Sequence, residues 1–174
     1  MTKLLFLDID GVMVSWAPDR DRAPMKLEDR DEAFDEPAVA NLNKLLTDHP
    51  DLRIVVSSTW RGGKSIDKLN EIFENRGVIP GRIVGKTPYM YFQISHDGSN
   101  PMCTVPRGCE IQAYLMDYRE KHDGKSFSYC IIDDSSDMLY WHKDHFLHVD
   151  GSRGFSYTKM VEEVDKILRR VTVI

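Results

Sequence analysis

The chain has 174 residues, 41% of them hydrophobic and 29% charged, a balance that supports a packed core and excludes a wholly disordered or fibrous chain. Its 23 Lys and Arg against 28 Asp and Glu leave a formal net charge of -5, so any nucleic-acid partner has to meet a local patch and not an overall basic surface. The cysteines Cys103, Cys109 and Cys130 have no CxxC spacing and read as reduced thiols, not as a disulfide frame or zinc knuckle.

Lys3 to Ile9 is a continuous apolar run closed by acids, the pattern of a central buried strand. Residues 15–36 follow, with Asp19-Arg-Asp-Arg22 and Glu28-Asp-Arg-Asp-Glu32, a mixed-charge segment that reads as a solvated flap. Pro37 suits a first helical residue, and Val39, Leu42, Leu45 and Leu46 give that helix its stripe. Asp51-Leu-Arg-Ile-Val-Val-Ser57 is a second strand; Ile66, Leu69, Ile72 and Phe73 mark a helix stopped by Gly77; Arg82 to Gly85 is a third, weaker strand. Residues 86–106 hold Pro88, Pro101 and Pro106 beside Tyr89, Tyr91 and Phe92, a long loop with rings suited to touching a ligand. Ile111, Tyr114, Leu115 and Tyr118 form a helix after Gly108, then come strands at Phe127 to Asp133 and His145 to Val149 with a short helix between them. Ser156 is placed to cap a last helix whose face is Met160, Val161, Val164, Ile167 and Leu168. The alternation predicts an α/β three-layer sandwich with a central parallel sheet of about five strands, as a single domain over 1–174. No apolar run approaches the roughly 18–20 residues of a membrane span, and Leu4 to Leu7 is too short for a signal peptide, so the expectation is a cytoplasmic protein with no membrane partner.

Ligands of open parallel sheets bind at the carboxyl ends of the strands. Asp8 and Asp10 stand at the exit of the first strand, two residues apart so that both can face one side, and Gly11 lets the chain turn at once. Asp133 and Asp134 do the same at the exit of the fourth strand. Four acids at one sheet edge repel unless a cation neutralises them, and Mg²⁺, which takes carboxylate oxygens, a carbonyl and waters, is the economical choice.

Phe6-Leu-Asp-Ile-Asp-Gly-Val12 resembles the first motif of the haloacid dehalogenase-like (HAD) phosphohydrolases. Ile54-Val-Val-Ser57 is similar to their second, Arg107 stands where their third-motif Lys or Arg does, and Ile131-Ile-Asp-Asp134 is similar to their fourth. Ser57-Ser-Thr-Trp-Arg61, Arg107-Gly-Cys-Glu-Ile111 and Ile131 to Met138 resemble the small HAD domains associated with RNA-repair proteins, which are similar in turn to polynucleotide 3′-phosphatase domains. The resemblance implies a Mg²⁺-dependent phosphomonoesterase. In that mechanism Asp8 is the nucleophile that forms an aspartyl-phosphate, and Asp10 is the general acid and then base. Mg²⁺ is held by Asp8, Asp134 and the Asp10 carbonyl, with Asp133 acting through water. Ser57 donates to the phosphoryl group and Arg107 balances its charge. Main-chain N–H groups of Ile9 and Ser58 are further donors. Lys86 competes with Arg107, which its helix-start position favours; Ser58 competes with Ser57; Arg61 either reaches a phosphate or lies on the surface. The segments at 15–36 and 86–106 are too short for a full cap domain, which suits a phosphate on something large, an RNA or DNA end or a nucleotide. A phosphoprotein, a small metabolite and a catalytically idle metal- or phosphate-binding module are the alternatives.

Other signals carry less. His142, His145 and His148 are spaced by three, but the run alternates like a strand and does not gather them on one helical face. Asp137 either supports the acids or caps the short helix. Trp60 and Trp141 either stack on a base or pack in the core or rim. Gly62-Gly63-Lys64-Ser65 echoes a P-loop, but Ser58 stands where its first glycine is required.

Overall fold

The computed structural model describes residues 1–16, 33–93 and 102–170, with only the main chain described at 91–93 and 102–104. In chain order the elements are β1 (Lys3–Leu7), α1 (Glu36–Asp48), β2 (Leu52–Val56), α2 (Ile66–Glu74), β3 (Ile83–Lys86), β4 (Tyr91–Gln93), β5 (Met102–Thr104), α3 (Arg107–Lys121), β6 (Ser128–Asp133), β7 (Phe146–His148) and α4 (Thr158–Leu168). Five strands make one parallel sheet in the order β3-β2-β1-β6-β7. The chain leaves β1 toward β2 on one side and later returns to β6 on the other, so the order reverses at the β1/β6 boundary. A crevice opens at such a point, outside the carboxyl ends of the strands.

Strand parity sorts the side chains into two layers. Leu5, Leu7, Ile54, Val56, Cys130 and Ile132 face one apolar cluster with buried residues of α1, α2 and α4, while Leu4, Phe6, Val55, Tyr129 and Ile131 face a second with Ile111 and Leu115 of α3. The expected parallel sandwich is therefore observed. By the same parity Asp8 continues the side of Leu4 and Phe6, and Asp133 continues that of Tyr129 and Ile131. Both acids thus leave the sheet on the face where α3 begins.

The helices largely follow their sequence stripes. Pro37 sits in the first turn of α1, whose Leu42, Leu45 and Leu46 are buried; Val39 packs at the margin, and Asn41 is buried with its amide donating to the Phe155 carbonyl (2.9 Å). Ser65 caps α2 by accepting from Lys68 N (3.1 Å), and its last turn closes through Gly77 N to Glu74 O and Val78 N to Phe73 O, the pairing of a glycine-stopped helix. Two expectations need correction. Ser156 does not cap α4: the residue before the helix is Tyr157, with no side-chain bond to the first turn. Helix α3 starts at Arg107 and includes Gly108, because Asp137 caps it: its carboxylate accepts from Arg107 N (2.8 Å) and its carbonyl from Gly108 N (3.1 Å). Asp137 thus serves α3 and not the short 3₁₀ turn at Tyr140–His142.

The segment expected as an unbroken loop at 86–106 contains β4 and β5, paired antiparallel from Tyr91↔Thr104 to Gln93↔Met102. The mixed-charge flap falls mostly on 17–32, outside the described residues, but its ends meet where Ser15 N donates to the Asp35 carboxylate (2.8 Å). Among the described residues no helix is long and apolar enough to cross a membrane.

The seat of α3 is tight. A Cβ at Gly108 would come within 2.4 Å of Leu139 N and 2.9 Å of Met138 Cα, both main chain. Gly108→Ala is therefore expected to push α3 off the 138–139 segment and to lower stability by about 1–3 kcal/mol, read as a lower midpoint in urea with the slope unchanged.

Candidate active site

Carboxylate oxygens of Asp8, Asp133 and Asp134 all lie within 4.8 Å of one another at the β1/β6 exits. Asp8 and Asp133 are buried, at 7% and 2% exposure, and Asp134 is half-buried. Asp133 Oδ1 accepts from Ser135 N (2.8 Å), whereas its Oδ2 is fully buried without a hydrogen bond. A buried carboxylate oxygen without a hydrogen-bond donor fits a cation, and three oxygen donors from carboxylates fit a hard divalent one such as Mg²⁺. The Asp134 carboxylate is seated by Trp16, whose indole Nε1 donates to Oδ2 (2.9 Å). Gly11, at φ +75°, and Gly151 make room for it: a Cβ at either position would meet that oxygen at 2.0 and 2.5 Å.

Burial dominates the electrostatics. The Asp8 carboxyl is held well above the usual carboxylate range by desolvation and then by the charge of Asp133, against the pull of Arg107, the Ile9 N–H and the Ser58 hydroxyl. Asp133 is pushed up to about 7, again by desolvation first, with Asp134 and Asp137 adding to it and Ser135 N–H and Arg107 opposing. Two acids resist ionisation at one point because burial and their mutual charge outweigh the pull of Arg107.

Arg107 is the nearest cation, its Nε 3.9 Å from Asp133 Oδ2. Its Nη1 meets Glu110 Oε2 at 3.3 Å, one turn along α3. The same oxygen accepts from Arg61 Nη2 at 2.6 Å, and Glu110 Oε1 accepts from Met90 N at 3.0 Å. Arg61 is neither a surface residue nor beside the acids: it is 1% exposed and donates also to the Ser58, Thr87 and Pro88 carbonyls, with Tyr89 over its guanidinium at 3.9 Å. It ties together three segments around the site. Lys86 is not brought to the acids either; its Nζ donates to the Lys64 carbonyl.

The two serines divide in an unexpected way. The Ser58 hydroxyl bonds to Asp8 and also accepts from Trp60 N (3.4 Å), whereas Ser57 Oγ is fully buried without a partner. Ser58, not Ser57, is thus the hydroxyl set against Asp8. Asp10 stands apart from the carboxylate cluster and accepts from Trp60 Nε1 (3.2 Å). Trp60, at 6% exposure, is therefore a core tryptophan whose polar edge reaches the site, while Trp141 is exposed and donates to Gln112 (2.9 Å). Residue-type reasoning passed over Glu110 and Trp16. An acid three residues after Arg107 on a helix is a signal for the first; nothing local marks the second. The histidines scatter as expected: His142 bonds Tyr129 Oη, His145 the Tyr129 carbonyl and His148 the Asp134 carbonyl.

Two outcomes follow. The Asp133 carboxyl, near 7 in the folded chain and near 3.9 unfolded, keeps its proton through that interval only when folded, so the fold loses stability as pH rises from about 4 to about 7. Thermal melts of metal-free protein should show this loss, on the order of 4 kcal/mol, flattened in Asp133→Asn and reversed by Mg²⁺ most strongly above pH 7. Glu110→Gln should cost about 3 kcal/mol in denaturant melts, because it leaves the buried Arg61 guanidinium without its counter-charge.

Comparison with known proteins places this geometry. The family described as "HAD domain in Swiss Army Knife RNA repair proteins" matches residues 4–160. No curated protein matches. Among solved structures, the HAD domain of the effector protein Lem4 from Legionella pneumophila is similar in fold, with a TM-score of 0.56 at 15% identity over 97% of this chain and 96% of that one. With the sheet order, the acids at its reversal point and a family match over most of its length, the chain belongs to the HAD domains of Swiss Army Knife RNA repair proteins.

Proposed function

We propose that the protein is a Mg²⁺-dependent phosphomonoesterase that works through an aspartyl-phosphate, on the terminal phosphate of a nucleic acid or on a nucleotide. The observation that carries this reading is the trio of carboxylates within 4.8 Å of one another, one of whose oxygens, Asp133 Oδ2, is buried without a hydrogen bond. The family, whose description names RNA repair, supports the substrate class.

Asp8, Asp133 and Asp134, with the Asp10 main-chain carbonyl, are the groups to hold the ion. When bound, Mg²⁺ supplies positive charge that ionises these acids and draws electron density from the phosphoryl group. A carboxylate oxygen of Asp8 then attacks phosphorus, forming the acyl phosphate (a mixed anhydride) on Asp8 as the bond to the leaving oxygen breaks. Asp10 delivers a proton to that leaving oxygen, with Trp60 Nε1 holding its carboxyl in place. In the second half Asp10 takes a proton from water, whose oxygen displaces Asp8 from phosphorus. The Ser58 hydroxyl donates to Asp8 and orients it, main-chain N–H groups of Ile9 and Ser58 are the donors for the phosphoryl group, and Arg107, paired with Glu110, balances the charge that develops. Arginine suits that task because its planar fork grips two phosphate oxygens.

Phosphate release with and without Mg²⁺, across a 3′-phosphorylated oligonucleotide, its 5′-phosphorylated isomer, a nucleoside monophosphate and a phosphopeptide, tests the proposal. Turnover should require the ion, fall below detection in Asp8→Asn and drop about 10²–10³-fold in Arg107→Ala. Metal-independent turnover would contradict it, and Asp10→Asn with undiminished activity would favour a binding module over an enzyme.

A further inference from the structure

Trp16 follows the turn that leaves β1 and is 46% exposed, so burial of its ring does not account for where it stands. Its placement is fixed by hydrogen bonds at both ends. Trp16 N donates to the Gly151 carbonyl (2.6 Å), which ties the segment after β1 to the turn after β7. Its indole Nε1 donates to Asp134 Oδ2 (2.9 Å). Asp134 is held from its main chain as well, where His148 Nε2 bonds the carbonyl (2.9 Å).

Two glycines are shaped around this pair. Gly11, at φ +75°, has a conformation that calls for glycine in its own right. Gly151 has no such need, since its φ lies outside the left-handed region. A Cβ there would nevertheless meet Asp134 Oδ2 at 2.5 Å, Trp16 Cδ1 at 2.6 Å and Trp16 Nε1 at 2.9 Å. What excludes a side chain at 151 is the contact between Trp16 and Asp134 itself.

A donor on one oxygen changes what a carboxylate offers to an ion. The N–H on Oδ2 takes up acceptor capacity there and leaves Oδ1 with more to give. Divalent ions differ in what they demand. Mg²⁺ requires a near-ideal octahedron with contacts of about 2.0–2.1 Å and keeps several waters. Ca²⁺ takes about six to eight oxygens at roughly 2.3–2.6 Å and accepts both oxygens of one carboxylate. A carboxylate pinned at one oxygen suits the first ion and disfavours the second.

We propose that Trp16 is a positioning residue of the carboxylate site. By holding Asp134 Oδ2 it presents that carboxylate to the ion through one oxygen and so favours Mg²⁺ over Ca²⁺, an inference that rests on the reading of Asp8, Asp133 and Asp134 as a metal site.

Trp16→Phe keeps a ring and removes the N–H. Calorimetric titration of the whole chain with each ion alone reads the effect without turnover. Affinity for Mg²⁺ should fall about tenfold, the scale of losing a donor behind a metal ligand, while affinity for Ca²⁺ stays the same or rises. In nitrogen-labelled wild type the assigned Trp16 Nε1–H resonance should move as Mg²⁺ is added, and this measurement decides where Trp16→Phe does not fold. Unaltered affinity for both ions in the variant, or an equal loss for the two, overturns the proposal and leaves the phosphatase reading intact. So does a Trp16 resonance that stays still while the chain binds Mg²⁺. A wild-type chain that takes up no Mg²⁺ overturns the metal reading of the acids, and the role of Trp16 with it.

Discussion

Three carboxylates pressed together at the end of a buried sheet are the constraint around which the rest of the molecule is arranged. In water such acids ionise independently; here desolvation holds Asp8 and Asp133 toward their protonated forms. Their negative charges become tolerable only when positive charge is brought to them. The fold gathers them because β1 and β6 are neighbours at the reversal of strand order, and because parity turns Asp8 and Asp133 to the same side. Stability has been given up at this point, because each buried acid resists the charge it would carry in water.

Positive charge is supplied from α3, and its placement rests on buried acids of a different kind. Asp137 fixes the start of the helix, and Glu110 holds Arg107 extended while also bonding Arg61 and Met90 N. Arg61 loses solvation in the interior, and Glu110 restores much of what burial removes. One carboxylate therefore joins the 3₁₀ turn Thr59–Arg61 after β2, the irregular segment leading into β4 and the arginine beside Asp133. A buried ion pair adds little net stability over an apolar substitute, but it has strong directional demands. Glu110 and Arg61 serve position more than stability.

Much of this was legible in the residues, and the parts that were not share a cause. Asp8, Asp10, Asp133 and Asp134 could be located because short apolar runs closed by acids are readable along the chain. The sheet followed from the same runs, and the cores of α1, α2 and α4 from apolar residues spaced by three and four. Choosing Ser58 over Ser57 was not readable, since the chain leaves the ladder after Val56 and parity no longer assigns a side. Arg61 was taken as a ligand or a surface group because composition cannot announce that Glu110, forty-nine positions on, will bury its charge. Asp137 as the cap of α3 is a similar case, thirty residues from the amide it satisfies. Local pattern carries local geometry; partners distant in sequence are set by topology.

The distribution of charge also explains how an acidic chain can present a cation at the end of its sheet. Net charge acts at long range and is screened within about 8–10 Å at physiological salt. Contact distances are governed instead by which side chains stand at the mouth of the site and whether they are already paired. Lys44, Lys68, Lys121 and Lys143 are spent on carboxylates at the surface, while the Arg107 guanidinium stands 3.9 Å from Asp133 at the carboxyl edge of the sheet. The sign of the net charge therefore does not decide what an anion meets at that edge; the position of Arg107, set by Glu110 and by the Asp137 cap of its helix, does.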